Sequence, residues 1–272
     1  MPEGDTIFRA ARTLHRALAG RTVTRFDSVY PELTNVDVDT PVVGRTITSV
    51  SSRGKHLLMA FSGDLVLHTH MRMNGSWHIY KPGERWRLQA RDMRVLVETE
   101  AYVAVGFNVP VAAFLTGREL ERHPQIQALG PDLTDPAFDR GEVIRRLRAA
   151  DNPTIEELIL NQRVLSGIGN VLKSETLFVA GINPFVSGPE VSDEALDKML
   201  TVALRLMKMN IVESQSMTRS FGHRTTGSLD PKAGQWVYGR AGKPCRKCGT
   251  AIMLRSSGAD ARLTYWCPTC QA

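Results

Sequence analysis

The sequence has no cysteine before position 245, so its first 244 residues can form neither a disulfide among themselves nor a thiolate metal site. It has no run of eighteen or more apolar residues, which excludes a transmembrane helix of ordinary length. Its N-terminus has no basic stretch followed by an apolar core, so a secretory signal is not expected. Internal repeats and low-complexity tracts are missing too, which argues against a solenoid or an extended disordered chain. What remains is 272 residues with 42% apolar and 23% charged side chains, the composition of an ordinary globular protein. That length suits two domains, or one large domain with an appendage. A cytoplasmic, nucleoid-associated location is the expectation, with no membrane partner.

The net charge of +6 is modest but unevenly placed. Residues 218–272 carry nine Lys and Arg against two Asp, a segment charge of +7, and the other 217 residues therefore sum to −1. Such a segment attracts polyanions, nucleic acid first, although charge alone fits an uneven solvated surface equally well. The four cysteines fall in the same segment, as CRKC at 245–248 and CPTC at 267–270. Two such knuckles can each give two thiolates from a tight turn and complete a tetrahedron around zinc. Two disulfides are the alternative, and a chain without an export signal disfavours them. Cys245, Cys248, Cys267 and Cys270 are thus the expected ligands of one structural Zn2+.

The periodicity divides the remainder. DTIFRAARTLHRALA places Ile7, Ala10, Ala11, Leu14, Ala17 and Leu18 on one helical face, with Asp5 as a plausible N-cap and Gly20 as the stop. Residues 21–115 read as short strands, including a hairpin KHLLMAF-SGD-LVLHTHM, and predict a β-sandwich or barrel. Residues 123–139, rich in Pro and Asp, read as a linker. Helical patterns then follow at GEVIRRLRAA, at DNPTIEELILN with Pro153 in the first helical position, and at 192–212. The polar, Gly-containing residues 214–235 read as a mobile or partner-ordered loop. In ILNQRVLSGIGNVLKSETLF two helical patterns flank SGIGN, where Gly167 and Gly169 permit a tight turn and Asn170 opens a helix. A helix start of this kind binds phosphate well, or is a plain glycine-capped turn.

PEG at 2–4, SRGKHL at 52–57, NQRVLSGIGNVLKSETLF and the terminal four-cysteine finger, in this order along the whole chain, resemble the formamidopyrimidine-DNA glycosylase / endonuclease VIII family. The resemblance implies a multidomain α+β protein. An N-terminal catalytic β-sandwich preceded by a helix would span 1–125, a helix–two-turn–helix DNA-binding domain with its loop 126–235, and a zinc ribbon 236–272. It implies a bifunctional DNA glycosylase/AP lyase of base excision repair, needing no redox cofactor. Its partner would be double- or single-stranded DNA with oxidised bases or abasic sites, bound by a monomer.

The same resemblance supplies roles. Pro2, freed by removal of Met1, would be the amine that attacks C1′ and forms the iminium on which strand cleavage depends. An α-amino group ordinarily titrates near about 8, so part of it is unprotonated at neutral pH. The positive end of the helix beginning near Asp5 would loosen its proton further. Glu3 would be the general acid, and Lys55 would contact phosphate and sugar during base loss and β-elimination. Arg262, between the cysteine knuckles, would hold a phosphate bidentately for δ-elimination. HMRMNGSW at 70–77 resembles the loop that fills the void left by an extruded base, with Met73 as wedge beside Arg72 and His70. Gly169 and Asn170 would grip a flanking phosphate.

Two positions depart from the family pattern. Thr6 stands where relatives commonly carry a second Glu, and Ala128 stands where endonuclease VIII relatives often carry an arginine. The PEG start and YGRAGKPC resemble the endonuclease VIII branch and oxidised pyrimidines. The alternatives are a glycosylase for purine lesions and a non-catalytic zinc-ribbon protein that binds damaged or single-stranded DNA.

Overall fold

The computed structural model describes residues 2–151, 153–212, 223–228, 230–258 and 261–272, in two units, Met1–Ala128 and Leu129–Ala272. Met1 and part of the 214–235 loop lie outside the described residues.

In the first unit, α1 (Gly4–Leu18) buries Ile7, Ala11, Leu14, Ala17 and Leu18, the face that the periodicity indicates. Each fully buried Leu or Ile contributes about 1.5–3 kcal/mol. Its N-cap is Glu3, not Asp5; Asp5 lies inside the first turn, where its carboxylate accepts from the Thr6 amide at 2.7 Å. Gly20, at φ +78°, takes the chain away from the helix end.

The strands are β1 (Val23–Ser28), β2 (Ile47–Arg53), β3 (His56–Phe61), β4 (Leu65–His70), β5 (Ser76–Tyr80), β6 (Met93–Thr99), β7 (Val103–Phe107) and β8 (Val111–Leu115). They form two antiparallel sheets of four, ordered β1-β6-β7-β5 and β2-β3-β4-β8. Both sheets contribute to one core with α1: Leu57, Met59 and Leu67 from one, Val95, Val97 and Ala104 from the other. This is a β-sandwich, which settles the sandwich-or-barrel choice. The near-continuous apolar run of β3 follows from burial on both faces. Leu57, Met59 and Phe61 face the sandwich core, whereas Leu58 packs with Val66 and Ile126.

Three short helices fall within or between the segments that read as strands and linker. α2 (Pro31–Asp39) begins with Pro31 in its first turn and buries Leu33. α3 (Gly117–Glu121) is started by a Thr116–Glu119 capping box. α4 (Pro124–Gln127) buries Ile126, so the expected linker begins as packed structure.

The second unit holds α5 (Arg140–Arg148), α6 (Ile155–Leu160), α7 (Asn170–Ala180), α8 (Asp193–Val212) and the antiparallel hairpin β9 (Met253–Ser257) and β10 (Arg262–Trp266). Leu196, Met199, Leu200, Ala203 and Met207 of α8 enter the core as their spacing requires. α6 starts later than its Pro153 signal indicates. Thr154 is the N-cap, and its amide and hydroxyl both donate to Glu157 at 3.0 and 2.7 Å. It also ends early, and residues 161–169 form a turn that closes as Gly167 adopts φ +100°. The described part of the 214–235 loop is anchored: Thr225 is buried and the Arg224 amide donates to Asn210 Oδ1 at 2.8 Å. Among the described residues no helix is long and apolar enough to cross a membrane.

Candidate active site and nucleic-acid interface

In the first unit, Pro2 is half-buried and Glu3 fully buried, directly before α1. The Glu3 carbonyl accepts the first helical bond, from the Ile7 amide at 3.0 Å, which ties the chain start to the helix. Carboxylates are favoured at such a position by the helix dipole. Thr6 is half-buried and its hydroxyl accepts from the Arg9 guanidinium at 3.5 Å.

Lys55 occupies the two-residue loop between β2 and β3, whose flanking Arg53 and His56 pair in register. Gly54 takes φ +56° as the first loop residue, the place where such tight hairpins need glycine. Lys55 is thereby set at the turn that the resemblance implies.

Residues 71–75 form the second turn. Met71 is buried as its anchor, and Gly75 closes it by donating from its amide to the Met71 carbonyl at 2.8 Å. A Cβ on Gly75 would sit 2.5 Å from that carbonyl oxygen, so the closure requires glycine. Arg72 adopts φ +48°, and its amide donates to His70 Nδ1 at 3.1 Å. Arg72 and Met73 are left exposed, Met73 by 55%.

Beneath these turns lies a histidine cluster that sequence reading missed. His56 Nδ1 and His68 Nε2 are 2.8 Å apart, and the rings of His70 and His123 pack against this pair. Burial, then the neighbouring His70, His68, His123 and Arg72, lowers His56 to about 3. His68 is lowered to about 4 by burial, His123 and His70, and His70 to about 4 by burial, Arg72 and Lys55. His56, His68 and His70 are thereby neutral at physiological pH, and His70 can accept from Arg72 only in that state. The signal was the alternation of His68 and His70 on β4 opposite His56 on β3.

In the second unit, Gly169 is the N-cap of α7 and Asn170 its first residue. Asn170 is buried, and its amide group donates to the Leu263 carbonyl of β10 at 2.8 Å. Arg262 opens β10 and is exposed. The next residues are tied inward: Lys173 Nζ lies 2.5 Å from Thr264 Oγ1 and 3.6 Å from the Glu156 carboxylate. Glu175, fully buried, accepts from the amides of Trp236, Val237 and Tyr238, each at 2.8 Å, and from the Thr225 hydroxyl. Burial pushes its carboxyl up, and those four donors pull it back. The signal for these groups was polar KSET inside an otherwise apolar helix, but not what it meets.

The four cysteine sulfurs all lie within 4.8 Å of one another. Cys245 and Cys270 are 3.9 Å apart and Cys248 and Cys267 3.4 Å, far longer than a disulfide of about 2.05 Å. Tetrahedral bonds of about 2.3 Å to zinc put sulfurs about 3.8 Å apart, which these separations bracket. Cys245 and Cys267 pack with Phe178 of α7, Val237 and Ile252, which joins the finger to the helices of its unit.

Three family models match: the formamidopyrimidine-DNA glycosylase N-terminal domain over residues 1–109, its H2TH domain over 129–221, and the zinc finger found in FPG and IleRS over 242–272. The chain is 41% identical over 277 residues to the probable endonuclease 8 2 of Streptomyces coelicolor, covering all of this chain and 94% of that protein. It is 35% identical to the DNA-(apurinic or apyrimidinic site) lyase Nei2 of Mycolicibacterium smegmatis, with 100% and 99% coverage. It is 30% identical to endonuclease 8 of Escherichia coli over the full length of both. Among solved structures, Lactococcus lactis Fpg in complex with abasic-site DNA has the same fold, with a TM-score of 0.83 at 22% identity over 99% of each chain. The sandwich, the helical unit with its glycine turn, the four-cysteine finger and these full-length relatives place the chain in the formamidopyrimidine-DNA glycosylase / endonuclease VIII family, in its endonuclease VIII-like branch.

Proposed function

We propose that the protein is a bifunctional DNA glycosylase and AP lyase that removes oxidised pyrimidines and cuts the strand by β,δ-elimination. The observation that carries this is Pro2 beside the fully buried Glu3 at the start of α1, where a merely spacing terminus would fray. Full-length relatives named endonuclease 8 and DNA-(apurinic or apyrimidinic site) lyase support the activity, and the choice of oxidised pyrimidines rests on the sequence resemblance to the endonuclease VIII branch.

In this reading the Pro2 amine, exposed once Met1 is removed, attacks C1′ of the damaged nucleotide. The base leaves with the bonding electron pair and a proton, and the C1′–O4′ bond then breaks as O4′ takes a proton, which gives the iminium. The iminium accepts the electron pair released when the C2′ proton is lost, and that pair returns to expel the 3′ phosphate. Glu3 supplies and recovers protons at the sugar, and Lys55 contacts the phosphate and sugar. Met73, with Arg72 and His70, fills the void left by the base. Asn170 and the backbone at Gly169 hold a flanking phosphate, and Arg262 holds the phosphate lost in δ-elimination. One Zn2+ held by Cys245, Cys248, Cys267 and Cys270 fixes the finger and takes no part in the chemistry. We retain 1–125, 126–235 and 236–272 as the functional division.

Borohydride reduction with abasic-site DNA tests the central step. Protein shown by mass spectrometry to lack Met1 is expected to form a covalent adduct, and protein retaining Met1 is not. No adduct from processed protein leaves the binding-protein reading instead. Excision of thymine glycol well ahead of 8-oxoguanine paired with C is the expected lesion preference, and the reverse order assigns the purine-lesion branch.

A further inference from the structure

Glu156, in the first turn of α6, and Lys173, in the first turn of α7, are almost completely buried. A buried ion pair contributes little net stability, because desolvation offsets its attraction. The helix dipole makes matters worse for Lys173, a cation near a positive helix end. What the pair does is bind one stretch of the finger hairpin. Glu156 accepts from the Thr264 hydroxyl with one carboxylate oxygen and from the Ser257 hydroxyl with the other. Lys173 donates to Thr264 Oγ1 at 2.5 Å and to the Leu263 carbonyl at 3.4 Å, which also takes the Asn170 amide at 2.8 Å.

These contacts surround one residue. Ser257 is the cross-strand partner of Arg262, and Thr264 lies two positions along the strand, on the same face. Ala261, just before Arg262, holds φ +48°, a conformation that a non-glycine residue keeps where its surroundings enforce it. We propose that Glu156 and Lys173 are positioning residues that act through Ser257, Leu263 and Thr264 to fix the backbone from which Arg262 reaches a DNA phosphate. The proposal rests on the phosphate-binding reading of Arg262.

The test measures strand scission, KM for abasic DNA and zinc content. The variants are Arg262→Ala, the apolar pair Lys173→Met/Glu156→Leu, the combination of all three, and Thr264→Val with Thr264→Ser. The apolar pair is expected to keep its zinc and melting temperature. Its scission falls on the order of ten- to a hundredfold, since a misplacement of about 1 Å near a reacting group can cost a hundredfold. In the Arg262→Ala background the pair adds nothing further. Thr264→Val shows the same defect and Thr264→Ser restores activity, which decides the matter even if the pair fails to retain zinc. Wild-type scission by Thr264→Val or by the zinc-loaded pair, with Arg262→Ala impaired, overturns the positioning role and leaves the phosphate reading intact. A loss that adds to that of Arg262→Ala also overturns it. Arg262→Ala cleaving like wild type removes the phosphate reading and the proposal with it.

Discussion

Lys55, Arg72 and Met73 of the first unit stand on turns of a few residues, whereas Arg262 of the second opens a strand whose neighbours are pinned by buried charge. The turns are shaped by backbone geometry: Gly54 at positive φ, Gly75 against the Met71 carbonyl, and Arg72 at φ +48°. Neutral histidines fill the space behind them. The finger is too small to fix a strand by apolar burial alone, and it depends on four thiols and on Glu156, Lys173 and Glu175 reaching it from α6 and α7. One unit aims its side chains through the backbone, the other through long-range polar bonds.

Removal of zinc breaks this comparison most. Chelation, or Cys267→Ser, is expected to lower strand scission by roughly a hundred- to a thousandfold, the cost of losing one donor to transition-state charge, on the proposed phosphate role of Arg262. The first unit keeps its β-sheet circular dichroism. Sheet and finger unfolding together would show that the two units do not differ in this way.

Acid works on the first unit. His56, His68 and His70 are lowered to about 3, 4 and 4 in the fold from an ordinary 6.5, so below pH 6.5 the unfolded chain binds more protons. Stability therefore falls with pH from 6.5 towards 4, by up to about 1.4 kcal/mol per pH unit for each fully titrating histidine. Thermal melts of wild type and His68→Gln across this range check the slope, which is expected to be shallower in the variant.

Gly75→Ala sharpens the turn argument. Its Cβ would meet the Met71 backbone at 2.5 Å, so a loss of about 1–3 kcal/mol in stability is expected, with weaker binding to lesion DNA. Met73→Ala is the smallest perturbation of the fold. With 55% of its surface exposed, the melt is expected to shift by no more than about 0.5 kcal/mol, while KM for duplex lesion DNA rises. An unchanged KM would remove the wedge role from Met73.

The elements with one dominant neighbour were legible in advance. The buried face of α1, the SGD hairpin and the α8 stripe each follow from a period of 3.6 or 2. α2 was missed because its nine residues bury only Leu33 and carry little pattern beyond Pro31. The start of α6 was misplaced because two cap signals compete, and the Thr154–Glu157 box prevails over Pro153.

The sequence by itself determined the finger, since four cysteines at fixed spacing have few other uses, and it determined which residues lie on which turn. The proposed roles of Pro2, Lys55, Met73 and Arg262 rest on the motifs that carry the family resemblance. The tertiary structure decided what lies behind them: His56 against His68, and Glu156 bound to Thr264 across 108 positions of chain. Periodicity reports that a face is buried, not which polar group will meet it there. That pairing depends on how separate elements pack, and it is where the fold sets the direction of its exposed side chains.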